Sequence, residues 1–355
     1  MSKLSGITPS GHVHLGNHLG AVRRWAREGG ADDLYFVADL HGMTTPHNPA
    51  KLRSLAREQL AVLIAAGIDP ERVFVQSDLA RELGALTWVL ECTCNYGEAA
   101  RMIQFKEKSA ARSASVEGGG GGMDGKSKGQ AGVRLSLLTY PALMAADILL
   151  QGADEVPVGE DQRQHVELTR TLAKRFNGTY GEVFTIPRAV LPPAGARVKD
   201  LADPTRKMSK SARDAVGVVF VLDEPDQIRR KIRRAVTDGG SVPVHAPETR
   251  PGMANLLEIL AACRGGSPAD LADEFSSYGA VKDAVADAVI EELRPLRSRA
   301  VALLDDVAEL DRVRKAGAER ARERGSHRLD AALRMIGAAA SIGDQSGHSH
   351  GRVTS

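Results

Sequence analysis

The feature that most constrains the fold is a strand–helix–strand pattern near the N-terminus. The runs Leu34–Val37 and Val73–Val75 have the apolar, β-branched and aromatic content of buried strands. Between them, Asn48 and Pro49 supply an N-cap and a first helical position, and leucines then recur at helical spacing as far as Gly67. Strands joined by such a crossover pair in parallel, so the pattern predicts a parallel sheet covered by helices on both faces.

The alternation of strands and helices continues to about residue 200 and then stops. Val156 and Val158 indicate another strand, which is followed by a predicted helix over 161–176 that ends at Asn177 and Gly178. Beyond about Leu222 only helical periodicity is left. A first helix is indicated by Val281, Val285, Ala288, Val289 and Leu293, and a next one by Val301, Leu304, Val307 and Leu310. The predicted class is α/β: a parallel sheet covered by helices, followed by an all-α C-terminal region.

Two segments are predicted to be unstructured. Residues 115–132 contain a run of five glycines at 118–122, which costs too much backbone entropy to order without a partner. Residues 338–355 are small, polar and aperiodic, as in a disordered tail.

Composition excludes several classes of protein. A chain of 355 residues that is 43% hydrophobic can bury a real core, and no run approaches the roughly 18 apolar residues of a membrane span. The N-terminus lacks an apolar export region, so we expect a cytoplasmic protein with no membrane partner. Cys92, Cys94 and Cys263 lack the spacing of a structural zinc site and are expected to be buried apolar residues. A net charge of +2 argues against a general polyanion binder.

Two segments have the chemistry of phosphate binding. Residues 206–211, Arg-Lys-Met-Ser-Lys-Ser, place two lysines three apart beside hydroxyl side chains, which can form a cationic clasp. Residues 9–17, Pro-Ser-Gly-His-Val-His-Leu-Gly-Asn, put glycines at a strand-to-helix turn, where phosphates can approach backbone N–H groups and the positive end of a helix. Taken singly, the first could be a solvated loop and the second an ordinary turn.

Together, about 190 residues apart, these segments resemble the paired "HIGH" and "KMSKS" signatures of class I aminoacyl-tRNA synthetases. Three more segments, residues 101–109, 139–147 and 158–162 with His165, are similar to those of the bacterial tryptophanyl-tRNA synthetases. The resemblance covers about residues 4–335. It implies ATP-dependent activation of L-tryptophan, transfer to tRNA(Trp), and a homodimer.

The resemblance also implies a domain organisation. Residues 1–212 would form the Rossmann-type catalytic domain, with the glycine-rich insertion at 115–132 and the KMSKS loop at 206–211. Residues 213–337 would form a helical anticodon-binding region, with the last helix packing back on the catalytic domain.

The residues expected to act at the phosphates are carried over from the family's motifs. Catalytic roles are implied for His14, Asn17, Lys108, Lys207 and Lys210. Contacts with ATP are implied for Thr8, Ser10, Gly16, Asn17, Gly159, Asp161, Met208, Ser209 and Ser211. The family uses ATP with Mg²⁺, and no residue is assigned as a metal ligand. Since the attacking carboxylate is already an anion at pH 7, catalysis would consist of positioning and charge stabilisation without a general base.

The tryptophan-binding residues are expected on three other segments. Asp147 lies in an otherwise apolar helix, where a buried carboxylate needs a donor. The residues themselves leave open a bond to a neighbouring side chain or a capping role, and the resemblance implies the indole N–H of tryptophan as the donor. The other residues implied to contact tryptophan are Tyr140, Met144, Gln162, His41 and Leu4. From sequence, His41 is as well explained as a core histidine.

Three features depart from the family's pattern. Thr8 stands where bacterial relatives commonly carry Gln, and Leu4 where many carry Phe, so the pocket is expected to differ in its selectivity for substrate analogues or inhibitors. A specialised or inhibitor-tolerant copy is therefore one interpretation. The third departure is the insertion at 115–132, for which an idle surface loop is favoured over a lid.

Two basic clusters in the C-terminal half are candidates for contacts with tRNA phosphates. One is formed by Arg229, Arg230, Lys231, Arg233 and Arg234. The other, residues 312–328, has seven basic and two acidic residues, a local charge of +5. Either could instead be a solvated face.

Rival functions are a tyrosyl-tRNA synthetase, another adenylyl-forming ligase, and a non-catalytic paralogue that binds tryptophan or tRNA. The loop 159–162 and the segment ending at Asp147 favour tryptophan over tyrosine. The KMSKS spelling and the helical C-terminal half disfavour another ligase, and the intact lysines with His14 disfavour loss of catalysis.

Overall fold

The computed structural model describes residues 1–102, 134–191, 198–209 and 215–338. The predicted insertion at 115–132 and the tail from residue 339 lie outside the described residues. The chain packs as two compact units, one formed by residues 1–79, 157–159 and 190–321, the other by 80–156, 160–189 and the chain from Arg322 onward. The two units are defined by how the chain packs. The predicted boundary at residue 212, between a catalytic domain and a helical anticodon-binding region, stays a prediction.

The first unit contains the predicted parallel sheet. Strands β1 (Leu4–Ile7), β2 (Leu34–Val37) and β3 (Val73–Val75) lie in that order, and both neighbouring pairs are parallel. Every residue of β2 and β3 is buried. Because both faces are covered, these strands appear in the sequence as unbroken apolar runs.

The helices that follow β1 and β2 in the first unit are short except for one. They are α1 (Leu15–Asn17), a π-helical turn (His18–Val22), α2 (Arg23–Glu28), α3 (Asp39–Gly42) and α4 (Pro49–Ala65). Helix α4 begins as predicted, since the Asn48 side chain accepts a hydrogen bond from the backbone N–H of Lys51 at 3.1 Å. It ends before Gly67, whose φ of 100° suits a glycine.

The C-terminal part of the first unit is helical, as predicted. It contains α9 (Pro225–Arg233), α10 (Pro251–Arg264), α11 (Pro268–Ala272), α12 (Tyr278–Asp305) and the start of α13 (Val307–Met335). Helix α12 packs against α4, α9 and α10. The close approach of α13 to β3 depends on Gly317, because a Cβ there would lie 1.8 Å from the carbonyl oxygen of Val73.

The boundary predicted between the last two helices was wrong. Val301 and Leu304 belong to α12, which continues through Pro295 to Asp305. The break falls instead at Asp306, whose side chain accepts a hydrogen bond from the backbone N–H of Glu309 at 2.9 Å. An N-capping acid therefore sets the start of α13, and the apolar periodicity runs across it.

The second unit is mainly helical. It contains α5 (Ala80–Thr93), α6 (Tyr96–Ala100), α7 (Ser136–Gln151), α8 (Glu160–Tyr180) and the end of α13. Helix α7 packs against both α5 and α8. Strands β4 (Glu155–Pro157) and β5 (Arg188–Val190) pair as a two-stranded sheet.

The predicted end of α8 at Asn177 was also wrong, because the helix continues to Tyr180. The Asn177 side chain accepts hydrogen bonds from the backbone N–H groups of Val183 and Phe184, and it donates to the carbonyl oxygen of Phe184 at 2.8 Å. Its amide thus holds the chain beyond the helix, and the helix ends at Tyr180, directly before Gly181, where φ is 116°.

The predicted fold class is confirmed by this combination of a parallel sheet and a helical C-terminal region. The expectation that all three cysteines are buried was wrong: Cys92 is exposed, and Cys94 and Cys263 are partly exposed. Within the described ranges, no helix is long and apolar enough to cross a membrane.

Candidate active site

The turn after β1 is held by a buried glutamine of α4. The Gln59 amide donates hydrogen bonds to the carbonyl oxygens of Thr8 at 3.2 Å and Gly11 at 3.1 Å. The N–H of Ser10 donates to the carbonyl oxygen of Thr8 at 2.9 Å, while the Ser10 side chain is exposed. Because the turn is fixed from the core side, its opposite side can face a ligand.

His14 and Asn17 cap the helix reciprocally. Asn17 N–H donates to Nδ1 of His14 at 3.3 Å, and His14 N–H donates to Oδ1 of Asn17 at 3.3 Å. An accepting Nδ1 places the hydrogen of the neutral ring on Nε2, which makes Nε2 the donor. The His14 side chain lies deep in the turn, and the residue is only 2% exposed.

Gly16 provides the space that the His14 ring occupies. A Cβ at position 16 would lie 3.1 Å from Nδ1 of His14 and 3.4 Å from Cβ of Val198. A side chain at this position would therefore push against the imidazole, which gives the glycine of the signature a steric reason.

A segment downstream of the second signature pairs with the same turn. Leu15 N–H donates to the carbonyl oxygen of Val219 at 2.8 Å, and Val221 N–H donates to that of Val13 at 2.9 Å. His14 lies opposite Phe220 in this antiparallel bridge. The chain that leaves the KMSKS segment is thus bonded on both sides of His14.

The KMSKS segment begins on one side of a hairpin-like pairing. Lys199 lies opposite Lys207 in an antiparallel bridge, and Met208 N–H donates to the carbonyl oxygen of Val198 at 3.1 Å. Met208 is buried in the core, Lys207 is exposed, and Ser209 is partly exposed. The methionine therefore anchors the segment and leaves the Lys207 ammonium accessible.

The first strand of this pairing is held by Asn255 of α10. The Asn255 side chain accepts a hydrogen bond from Lys199 N–H at 2.9 Å and donates one to the carbonyl oxygen of Lys199 at 3.1 Å. Asn255 is 2% exposed. This amide binds the strand as a neighbouring peptide group would, and it ties the motif-bearing segment to the helical region.

In the second unit, three of the residues expected to bind tryptophan share one face of α7. Tyr140, Met144 and Asp147 are spaced i, i+4 and i+7, and Asp147 is 2% exposed. The Tyr140 hydroxyl lies 2.6 Å from Nε2 of His165 on α8. Gln162, also on α8, is partly exposed. The buried carboxylate predicted at Asp147 is therefore present on the face that carries the other candidates.

The other two candidates for tryptophan binding belong to the first unit. Leu4 is buried in β1. His41 lies in α3, just after β2, and is partly exposed. The backbone N–H groups of Leu40 and His41 donate to Oε1 of the buried Gln76 at 3.0 and 3.4 Å.

Some of the predicted residues cannot be placed. Lys108, Lys210, Ser211 and the side chain of Asp161 lie outside the described residues. Asp161 is the second residue of α8, which begins at Glu160 directly after the exposed Gly159. Among the residues that the structure does describe, no cluster of three His, Cys, Asp or Glu could hold a metal ion.

Sequence reasoning missed the buried amides that hold the backbone around the candidate site residues, namely Gln59, Gln76 and Asn255. Two of them had a visible signal, since each is a single amide in an apolar helical stretch: Gln59 precedes a run of six buried residues, and Asn255 lies between Ala254 and Leu256. A buried amide needs partners, and here the partners are backbone groups of the turn after β1 and of Lys199, which lies opposite the KMSKS segment.

Comparison with known proteins agrees with this arrangement of two signatures. The family model described as "tRNA synthetases class I (W and Y)" matches residues 1–294. Tryptophan–tRNA ligase 1 of Streptomyces avermitilis is 51% identical over 337 residues, which cover 94% of this chain and 97% of that protein. The chain therefore belongs to the class I tRNA synthetases, in the branch of the bacterial tryptophan–tRNA ligases.

Solved structures agree with the same family and confirm the predicted resemblance. The crystal structure of tryptophanyl-tRNA synthetase from Mycoplasma pneumoniae has a TM-score of 0.80 and 32% identity, covering 95% of this chain and 97% of that one. The Campylobacter jejuni enzyme complexed with ADP and tryptophan has a TM-score of 0.78 and 28% identity, covering 95% and 100%.

Proposed function

We propose that this protein uses ATP to convert L-tryptophan to tryptophanyl-adenylate and then transfers the tryptophanyl group to the terminal adenosine of tRNA(Trp). The observation that carries the proposal is the bonding of residues 219–221, just downstream of the KMSKS segment, on both sides of His14. This joins the two phosphate-binding signatures within one unit. The relatives named as tryptophan–tRNA ligases support tryptophan as the amino acid.

The first step forms a bond between the tryptophan carboxylate and the α-phosphorus of ATP and breaks the bond from that phosphorus to the bridging oxygen of pyrophosphate. ATP enters as its magnesium complex, so the metal belongs to the substrate. The carboxylate needs no deprotonation, and the protein's task is to orient it and to offset charge on the phosphates. Nε2–H of His14 and the ammonium of Lys207 are proposed as donors to those phosphates, together with Lys108 and Lys210.

The amino acid is proposed to bind along the face of α7 that carries Tyr140, Met144 and Asp147. The Asp147 carboxylate would accept the indole N–H, and Tyr140 with Gln162 would contact the ammonium group. A buried carboxylate placed for one donor selects against amino acids that lack that donor.

The most direct test of the whole reaction is charging of a tRNA(Trp) transcript. With tryptophan, ATP and Mg²⁺ we expect an alkali-labile tryptophanyl ester on the RNA, and we expect no tyrosyl ester on a tRNA(Tyr) transcript. Absence of the ester, in a preparation that forms the adenylate, would remove the transfer step from the proposal.

We also propose a homodimer that works in the cytoplasm. Light scattering after gel filtration should give twice the chain mass of 37.8 kDa. A mass of one chain at micromolar concentration would contradict the dimer.

Thr8 and Leu4 support a second, narrower proposal, a copy with altered tolerance of tryptophan analogues. The carbonyl of Thr8 is held by Gln59, and Leu4 is buried in β1. The double substitution Thr8→Gln/Leu4→Phe should lower the inhibition constants of competitive tryptophan analogues, while unchanged constants would dismiss the idea.

A further inference from the structure

Helix α9 has one apolar face and one strongly basic face. Ile228, Ile232 and Ala235 are buried on the apolar side. The rest of the helix and its C-terminal cap carry the five cations of the first basic cluster, Arg229, Arg230, Lys231, Arg233 and Arg234. The question is which of these cations are available to a partner.

Three of the five are engaged within the first unit. Arg229 pairs with Asp287 at 2.7 Å and Arg233 pairs with Asp283 at 3.1 Å, both acids being on α12. Lys231 pairs with Asp223 at 2.6 Å and lies 4.8 Å from the centroid of the Phe220 ring. These cations hold α9 in place.

The other two, Arg230 and Arg234, are exposed, and in the described parts of the chain neither has an acidic partner. Their i, i+4 spacing puts both guanidinium groups on the same side of the helix. The carbonyl oxygens at the end of the helix are occupied by another cation, since Lys282 Nζ donates to those of Arg233 at 3.2 Å and Ala235 at 2.8 Å. We refer to Arg230 and Arg234 as the α9 arginine pair.

The second basic cluster, at 312–328, is used differently. Six of its seven cations have carboxylate or carbonyl partners: Arg312 with Glu309, Arg314 with Asp78, Lys315 with Asp311, Arg322 with Glu82, Arg324 with the Gln151 carbonyl and Arg328 with the Leu150 carbonyl. Most of the cations behind its local charge of +5 are therefore engaged in contacts of α13. Far fewer of them are available to a polyanion than the sequence suggests.

We propose that the α9 arginine pair binds backbone phosphates of tRNA. The inference rests on the proposed function, in which tRNA is a substrate. The choice of these two arginines rests on the ion pairs that engage the other three cations of the cluster. Guanidinium groups suit phosphate because they donate two parallel hydrogen bonds and keep their charge. Such contacts fix the orientation of the RNA and do not read its sequence.

The test compares two double substitutions on the same helix. Arg230→Gln/Arg234→Gln removes the α9 arginine pair, and the control Arg229→Gln/Arg233→Gln removes the same charge from cations that are already paired. Binding of a tRNA(Trp) transcript is measured over a series of salt concentrations, and thermal unfolding checks the fold of each variant.

We expect the first variant to raise the Kd for the transcript about tenfold at roughly 0.15 M salt and to reduce the slope of log K against log salt by about one to two, with much smaller effects in the control. Equal losses in both variants would mean diffuse attraction by net charge and would overturn the proposal, as would no loss in either. Tryptophan-dependent pyrophosphate exchange needs no tRNA, so failure of the proposed function is detected separately in the wild-type protein.

Discussion

At the scale of single residues, the site depends on polar groups held in fixed positions by close neighbours. His14 shows this best, because its Nδ1 accepts a hydrogen bond from the N–H of Asn17 and its ring lies so close to Gly16 that a Cβ there would be 3.1 Å from Nδ1. The candidate site residues could be selected from the sequence because they form short local motifs, and their roles stay predictions. The contacts of Gln59 and Asn255 could not be predicted. A single amide in an apolar stretch indicates that partners are needed, but the partners are backbone groups of distant segments, which the sequence does not identify.

A Gly16→Ala substitution should displace the His14 ring with little effect on the stability of the protein. Alanine favours the helix by about 1 kcal/mol over glycine, which offsets part of the crowding, so we expect the free energy of unfolding to change by less than about 1 kcal/mol. Displacement of the ring should lower kcat for tryptophan-dependent pyrophosphate exchange by about tenfold or more. An unchanged kcat would show that the ring does not act in this step.

Asp147→Asn tests the proposed contact with the indole. Replacing a charged acceptor by a neutral one should reduce kcat/KM for tryptophan by about tenfold or more, mainly through KM. The KM for ATP serves as the internal control and should change little. If kcat/KM for tryptophan is retained, the partner of Asp147 is a group of the protein itself.

At the scale of secondary-structure elements, apolar periodicity predicted which helices exist and tertiary contacts decided where they end. The predicted ends of helix α4 were both correct, because its N-cap Asn48 and its stop at Gly67 are local signals. The predicted C-terminal end of helix α8 was not correct, because Asn177 bonds to residues that come after the helix. Capping by a local side chain can be read from a sequence, whereas a side chain that bonds to a later segment cannot.

The contact between Asn255 of α10 and Lys199, which lies opposite the KMSKS segment, leads to a prediction for Asn255→Ala. Loss of the amide leaves the N–H and the carbonyl of Lys199 without partners and should lower the free energy of unfolding by about 1–3 kcal/mol. We also expect a lower kcat for exchange, with the KM for tryptophan nearly unchanged, since Lys207 lies opposite Lys199.

Ile259→Val on the same helix is the matched control. It removes a buried methyl group at a cost of about 0.5–1.5 kcal/mol in the free energy of unfolding and breaks no hydrogen bond to Lys199. If both variants slow exchange alike, the effect of Asn255 is one of stability alone.

The ion pair between α6 and α8 should make stability depend on pH. A hydrogen bond from Arg175, helped by the backbone N–H of Asn95, lowers the pKa of Glu98 to about 2. Because the folded-state pKa lies below the ordinary value of 4.5, the stabilisation is fully present above pH 4.5 and is lost as the pH falls towards 2.

This pH dependence can be measured as the difference in unfolding free energy between the wild type and Glu98→Gln. We expect the wild type to be more stable by about 1–2 kcal/mol at pH 7, and we expect this difference to become smaller as the pH falls from 4.5 to 2. Glu160→Gln, which removes an exposed pair with Arg163, should have little effect throughout. A Glu98→Gln difference that stays constant with pH would contradict the assignment.

At the scale of the whole molecule, near-neutrality has a structural reason. The chain has 47 basic and 45 acidic residues, and both basic clusters are largely paired with acids or carbonyl groups. The count therefore excludes a general polyanion binder and is compatible with a limited phosphate-binding surface. The sequence located the basic clusters, but only the fold shows which of their cations are engaged, because most of the partners lie far away along the chain.

The central claim is that the paired signatures activate tryptophan in particular. The measurement that tests it most directly is ATP–pyrophosphate exchange by the wild-type protein with Mg²⁺ and each of the twenty amino acids in turn. We predict rapid exchange with tryptophan and none above background with tyrosine. Exchange driven by tyrosine, or by none of the twenty, would contradict the account.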